Sequence, residues 1–162
     1  DGRPVARYAA AFEALRDRGD AVAAERGSRP VVLLAPLGSV AEHNARTTFA
    51  ANLMASGGIE ALNPGANADL AAVAAETGSP VAIVCGTDKR YAEDGPAAVR
   101  ALRDAGVTTV LLAGKSSTFP SDTDGAALPD GDLTLSIDAV AELSRILDLL
   151  TGADPAPEGQ PA

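Results

Sequence analysis

The sequence predicts a doubly wound α/β domain, a five-stranded, all-parallel sheet with helices on both faces. Three observations predict it. Strand and helix signals alternate along most of the chain. Two strand candidates, PVVLLA at 30–35 and PVAIVC at 80–85, are apolar throughout rather than alternating, as expected of strands covered on both sides. Of the 162 residues, 46% are apolar but only 3% aromatic, so one core must be assembled from Ala, Val, Leu and Ile.

The elements follow in order. Residues 4–26 place Tyr8, Phe12, Leu15 and Val22 close to one helical stripe, with Arg and Asp opposite, and predict an amphipathic helix ending near Gly27. It stands outside the repeating pattern, so residues 1–28 are assigned as a linker helix. After strand one (30–35) a helix runs to the Gly57-Gly58 stop. IEALN (59–63) is a second short strand, and a helix from about 68 to 77 is closed by Gly78. PVAIVC is the third strand. GPAAVRALRDAG predicts a helix over 95–105, and VTTVLLAG a fourth strand near 107–112. DLTLSI (132–137) is the fifth, after which Ser136 or Asp138 caps a last helix ending near Thr151-Gly152. Residues 29–152 thus form the domain. The Pro-rich stretch 153–162 is expected to be a disordered tail. The expected strand order is 2-1-3-4-5, the flavodoxin-like arrangement, which places ligands beyond the carboxyl ends of strands one and three, where the winding reverses. PLGSVAEHN, CGTDKRYAED and the AGKSS loop after strand four meet there.

Charge and composition exclude several roles. A formal net charge of -9 argues against nucleic acid and against an anionic membrane surface. The single cysteine, Cys85, permits no internal disulfide, which suits a reducing, cytoplasmic compartment. No apolar run reaches the length of a membrane span. No G-x-G-x-x-G or complete P-loop is present; GKSS at 114–117 lacks the upstream glycine of the latter. No Cys and His set has zinc spacing. Cys85 and His43 would both lie at the switch point, but a lone Cys at the end of a buried strand reads as a small apolar filler. A phospho-acceptor site would need an acidic pair after strand one, and PLGSVAE supplies one acid.

The stretches RPVVLLAPLGSVAEHNARTTFAANLMASGGIEALNPG and VAIVCGTDKRYAEDGPAAVRALRDAG, with the lead-in EALRDRGDAVAAERGSRP, resemble the cobalamin-binding-type domain at the C-terminal end of methylmalonyl-CoA mutase. They resemble most closely the version in that enzyme's small, non-catalytic subunit, over about residues 4–151. The resemblance implies a heterodimer with a large catalytic subunit. That subunit would bind adenosylcobalamin and interconvert methylmalonyl-CoA and succinyl-CoA by radical rearrangement.

Cobalamin-binding members carry D-x-H-x-x-G after strand one, S-x-L after strand three and a G-G pair after strand four. The His is the lower ligand of cobalt, the Asp orients it, and the glycines let the nucleotide tail lie beside the sheet. In this sequence the His position is His43, the Asp position is Ala41 and the Gly position is Arg46. S-x-L falls on Cys85-Gly86-Thr87, and G-G on Ala113-Gly114. A ligating imidazole needs a partner on its second nitrogen, and Ala41 supplies none. Arg46 would set a charged stem where the tail passes, at a cost if its guanidinium were buried unpaired.

Ser39 and Glu42 form a capping box that starts a helix near Val40 and puts His43 in its first turns, although Asn44 could cap a later start. The expected site is therefore degenerate, with no catalytic residue, no cofactor and no metal in this chain, and with His43, Cys85 and Gly114 as vestigial positions. The alternative is a working cobalamin carrier with His43 as cobalt ligand. Asp88-Lys89-Arg90-Tyr91 reads as a solvated loop with one anchoring tyrosine, or as a contact surface for a partner. SDTDGAALPDGD reads as a solvated loop.

Overall fold

The computed structural model describes residues 3–152; the tail at 153–162 lies outside the described residues. Five strands, β1 (Val31–Pro36), β2 (Glu60–Leu62), β3 (Val81–Cys85), β4 (Thr109–Ala113) and β5 (Gly131–Leu133), form one sheet in the order 2-1-3-4-5. Every pairing is parallel, with Leu33 against both Leu62 and Ala82, Ile83 against Leu111 and Leu112 against Asp132. This is the flavodoxin-like arrangement expected from the sequence.

The strands divide their side chains between two cores, as the pleat requires. Val32, Leu34, Val81, Ile83, Cys85, Leu111 and Ala113 point to one side. There they pack with helices α1 (Arg3–Arg26), α2 (Val40–Ser56) and α5 (Ala139–Thr151) through Leu15, Met54, Leu143 and Ile146. Leu33, Ala35, Ala82, Val84, Val110 and Leu112 point to the other side, beneath helices α3 (Leu70–Thr77) and α4 (Asp88–Asp104). Covering both faces is what makes the strand sequences continuous apolar runs.

Helix α1 packs along α5, where Arg18 bonds Ser144 and Asp148 and Arg26 bonds the carbonyls of Leu150 and Thr151. It crosses the end of α2 at a glycine pair: a Cβ on Gly19 would stand 2.5 Å from the Gly58 oxygen. Asp69 and Asp138 cap α3 and α5, and Gly78 closes α3 in the left-handed region. Among the described residues, no helix is long and apolar enough to cross a membrane.

Two elements differ from the sequence expectation. Helix α4 begins at Asp88, not near 95, because Thr87 caps it by accepting from the Arg90 N–H. Gly95-Pro96 looked like a helix start, yet Pro96 lies inside the helix. Asp88-Lys89-Arg90-Tyr91 is accordingly the first turn of a helix, not a loop. Strand β5 stops at Leu133, because Thr134 and Ser136 bond each other across a turn that leaves Leu135 93% exposed. The acidic loop before it is tied down: Asp130 bonds Arg103 and the Val110 N–H, and Asp132 bonds the N–H and hydroxyl of Ser116.

Candidate functional site

The carboxyl ends of β1, β3 and β4 carry the residues the sequence singled out. After β1 the chain turns at Gly38 (φ +78°), where a Cβ would meet Arg90 and Glu42 side chains at 2.8 Å. Ser39 then caps α2. The Glu42 N–H donates to its hydroxyl (3.3 Å), and its own N–H donates to Glu42 Oε1 (3.0 Å), so the expected capping box is present. Glu42 also accepts from Arg90 Nε (2.7 Å) and Nη2 (3.1 Å), a two-pronged pair that ties the start of α2 to the start of α4. These Arg90 bonds, with the Ser39 N–H, hold the Glu42 carboxyl down to about 2. Arg90 is itself raised by Glu42 and by Asp94 one turn on.

One residue further on, His43 opens a stripe with Thr47, Ala50 and Met54, the buried face of α2. Its side chain is 2% exposed, and its buried Nδ1 has no hydrogen-bond partner among the described residues. The Glu42 carboxylate is turned to Ser39 and Arg90 instead.

Arg46 turns onto the strand ends. Its Nη1 donates to the carbonyls of Gly86 and Ala113, each at 3.0 Å, and its Nη2 to Asp88 at 3.1 Å. The guanidinium lies over the Tyr91 ring, 5.5 Å from the centroid. The unpaired buried charge anticipated from the sequence does not arise: Arg46 bridges the ends of β3 and β4. Tyr91 completes the bridge from the other sheet face, accepting from the Gly86 N–H (2.9 Å) and donating to the Ala113 carbonyl (2.6 Å). Burial pushes its phenol up to about 12.

Gly114, at φ +146°, makes this approach possible, because a Cβ there would stand 2.8 Å from Arg46 Nη1 and 3.0 Å from the Tyr91 ring. Cys85 is fully buried, with its Sγ turned to the Ile83 carbonyl, and burial pushes its thiol up to about 12. Burial thus favours the thiol over the nucleophilic thiolate.

Beside this packed region lies a groove of about 860 Å³ over the ends of β4 and β5. Phe49, Leu133 and Leu135 give it an apolar side, and Arg46, Gly114 and Lys115 line it as well. His43 and Cys85 are not among its lining residues. The structure thus gathers Arg46, Gly86, Ala113 and Gly114 at one point and turns His43 and Cys85 inward.

Tyr91 is the anchoring tyrosine the sequence suggests, whereas the pairing of Arg90 with Glu42 is not evident from the sequence. The available signal was Thr87 followed by an acidic first-turn residue, an N-cap pattern masked by the louder Gly-Pro seven residues later.

No family model matches the chain. Over 151 residues it is 53% identical to the probable methylmalonyl-CoA mutase small subunit of Mycobacterium tuberculosis (strain ATCC 25618 / H37Rv), a match covering 91% of this chain and 24% of that protein. It is 40% identical over 150 residues to the methylmalonyl-CoA mutase small subunit of Streptomyces virginiae, covering 91% of this chain and 23% of that one. With the corresponding small subunit of Propionibacterium freudenreichii subsp. shermanii it shares 32% identity over 142 residues, 86% of this chain and 22% of the other. The chain therefore spans about a quarter of the length of the relatives it matches.

Proposed function

From the premise that this chain is homologous to the C-terminal domain of methylmalonyl-CoA mutase small subunits, we propose that it is a non-catalytic, structural domain of such a subunit, with a cobalamin site closed by its own side chains. Its partner would be the large catalytic subunit, which would hold adenosylcobalamin and interconvert methylmalonyl-CoA and succinyl-CoA. The chain itself would contribute folded surface and no reacting group.

The Arg46 bridge carries this proposal. In an open α/β sheet, ligands enter where the winding reverses, between the ends of the first and third strands. Beside that point, over the ends of β3 and β4, the carbonyls of Gly86 and Ala113 already accept from Arg46, and a Cβ on Gly114 would meet its guanidinium and the Tyr91 ring. The residues present do not fit a corrinoid. A lower ligand must reach outward to cobalt while its second nitrogen is held by a partner. His43 instead lies on the buried stripe of α2, 2% exposed, with an unpartnered Nδ1 and Ala41 in the place of the orienting acid. The capping box starts the helix at Val40, so the segment before His43 is helical rather than an open loop.

The alternative, a cobalamin carrier using His43, draws on one observation: Nδ1 of His43 is buried without a partner. A titration of the chain with hydroxocobalamin, followed by visible absorbance, separates the two. An unchanged cobalamin spectrum, together with co-purification of the chain with a purified large subunit, is expected. A spectrum of imidazole bound to cobalt that disappears in His43→Ala would overturn the proposal.

A further inference from the structure

A second cleft lies at the amino end of β2, where α1 crosses the last turn of α2. None of its lining residues is a position matched to the cobalamin motifs. Its volume, about 520 Å³, lies within the range of small-molecule sites. Gly58 lets α1 come down onto this spot, since a Cβ there would stand 3.1 Å from Arg16 Cα. Ala55, Gly58 and Ile59 give the cleft an uncharged floor.

The walls carry both signs of charge. Glu13, Arg16 and Asp17 line the cleft from one face of α1, and Glu60 lines it from β2. Asp20 and Arg29 line it too, but they pair with each other, and Arg29 also donates to the Gly58 carbonyl (3.2 Å). Arg16, Glu13, Asp17 and Glu60 form no ion pair among the described residues. Arg16 has acids at both helical spacings that favour a pair, Glu13 three residues before it and Asp20 four after it, and is joined to neither. Opposite charges are thus held apart around a concave floor.

Three ligand classes fit this unequally. Among the described residues, no three His, Cys, Asp or Glu side chains come together as a metal site, which sets aside a divalent cation. A simple organic cation would leave Arg16 without a counter-charge, and a simple anion would meet three carboxylates. A ligand bearing both charges on neighbouring atoms answers both, with a carboxylate matched to the guanidinium fork. Its ammonium is favoured further by the negative end of the α2 dipole, where Ala55 lies. We propose that this cleft binds a free α-amino acid with a short apolar side chain. Its carboxylate lies on Arg16, its ammonium among Glu13, Asp17 and Glu60, and its side chain over Ala55 and Ile59.

The test is a titration of the isotopically labelled full chain with L-norvaline, n-butylamine and pentanoate, read from backbone amide chemical shifts. The last two probes are norvaline without its carboxylate and without its amine. Saturable shifts confined to residues 13–20 and 55–60 are expected, with L-norvaline bound roughly tenfold more tightly than either other probe. Arg16→Met should lose about tenfold in affinity for L-norvaline without weakening n-butylamine. Glu60→Gln should weaken L-norvaline and n-butylamine alike.

Equal binding of n-butylamine would reduce the cleft to an acidic patch and overturn the proposal. Equal binding of pentanoate, or an unchanged affinity for L-norvaline in both variants, would do the same. So would silence with all three probes, including the case in which a purified large mutase subunit broadens the same amides and the cleft is a protein interface. Failure here leaves the closed cobalamin site untouched, because that is read from the hydroxocobalamin spectrum.

Discussion

Two halves of the same sheet end behave differently. Over the ends of β3 and β4, the Gly86 N–H and the carbonyls of Gly86 and Ala113 are answered from within the chain by Arg46 or Tyr91, and Glu42 and Arg90 tie together the starts of α2 and α4 beside them. Over β4 and β5, a few residues away, the ends are left open around an apolar wall, a cation without an ion-pair partner among the described residues, and Leu135 in solvent. The fold supplies a concave end in both cases. What differs is whether one long side chain of the right charge can reach the carbonyls that the fold leaves bare. Filling a cleft in this way converts potential ligand contacts into stability.

If this contrast is real, substitutions on the two sides should have unlike costs. Tyr91→Ala should be the most damaging, at about 3–5 kcal/mol in chemical denaturation, because it removes a fully buried ring and leaves the Gly86 N–H without its partner. Arg46→Met, which keeps the stem and removes the bonds to Gly86, Ala113 and Asp88, should cost about 1–3 kcal/mol. A value near zero would mean that the bridge is ornamental and that the halves are alike.

Acid should also find the packed side first. The Glu42 carboxyl is lowered in the folded chain, from 4.5 to about 2, so its contribution is fully present above about 4.5 and is lost as pH falls towards 2. Glu42→Gln should therefore flatten the acid limb of a stability-against-pH curve in that window, and an unaltered limb would place the acid sensitivity elsewhere. The open side should be the least responsive. Lys115→Met and Leu135→Ser should each change stability by no more than about 0.5 kcal/mol, measured by thermal or urea unfolding.

The sheet was legible in the sequence because its strands are short, apolar on both faces and punctuated by glycine. The start of α2 was legible too, since Ser39 and Glu42 specify a cap through purely local bonds. Arg46 was recognised as standing where the family has glycine, but its meaning was inverted. The charge at position 46 is visible in the sequence, but the carbonyls that receive it belong to residues 40 and 67 positions away, brought near only by the fold. Tyr91 was legible as an anchor, but the helical start around it and the part played by Arg90 were not, because a local signal, Gly95-Pro96, outweighs the quieter cap at Thr87. Strand β5 was drawn too long because TLSI has strand-like residues, and only the turn bond between Thr134 and Ser136 ends it.

Gly114 and Arg46 constrain one another. At φ +146° position 114 holds a backbone conformation that side chains rarely adopt, and a Cβ there would press on Arg46 Nη1 and the Tyr91 ring. Glycine at position 46 would in turn strip the carbonyl at residue 86 of its Arg46 donor. The two positions therefore form a coupled pair, in which the missing side chain of one leaves the room that the long side chain of the other occupies.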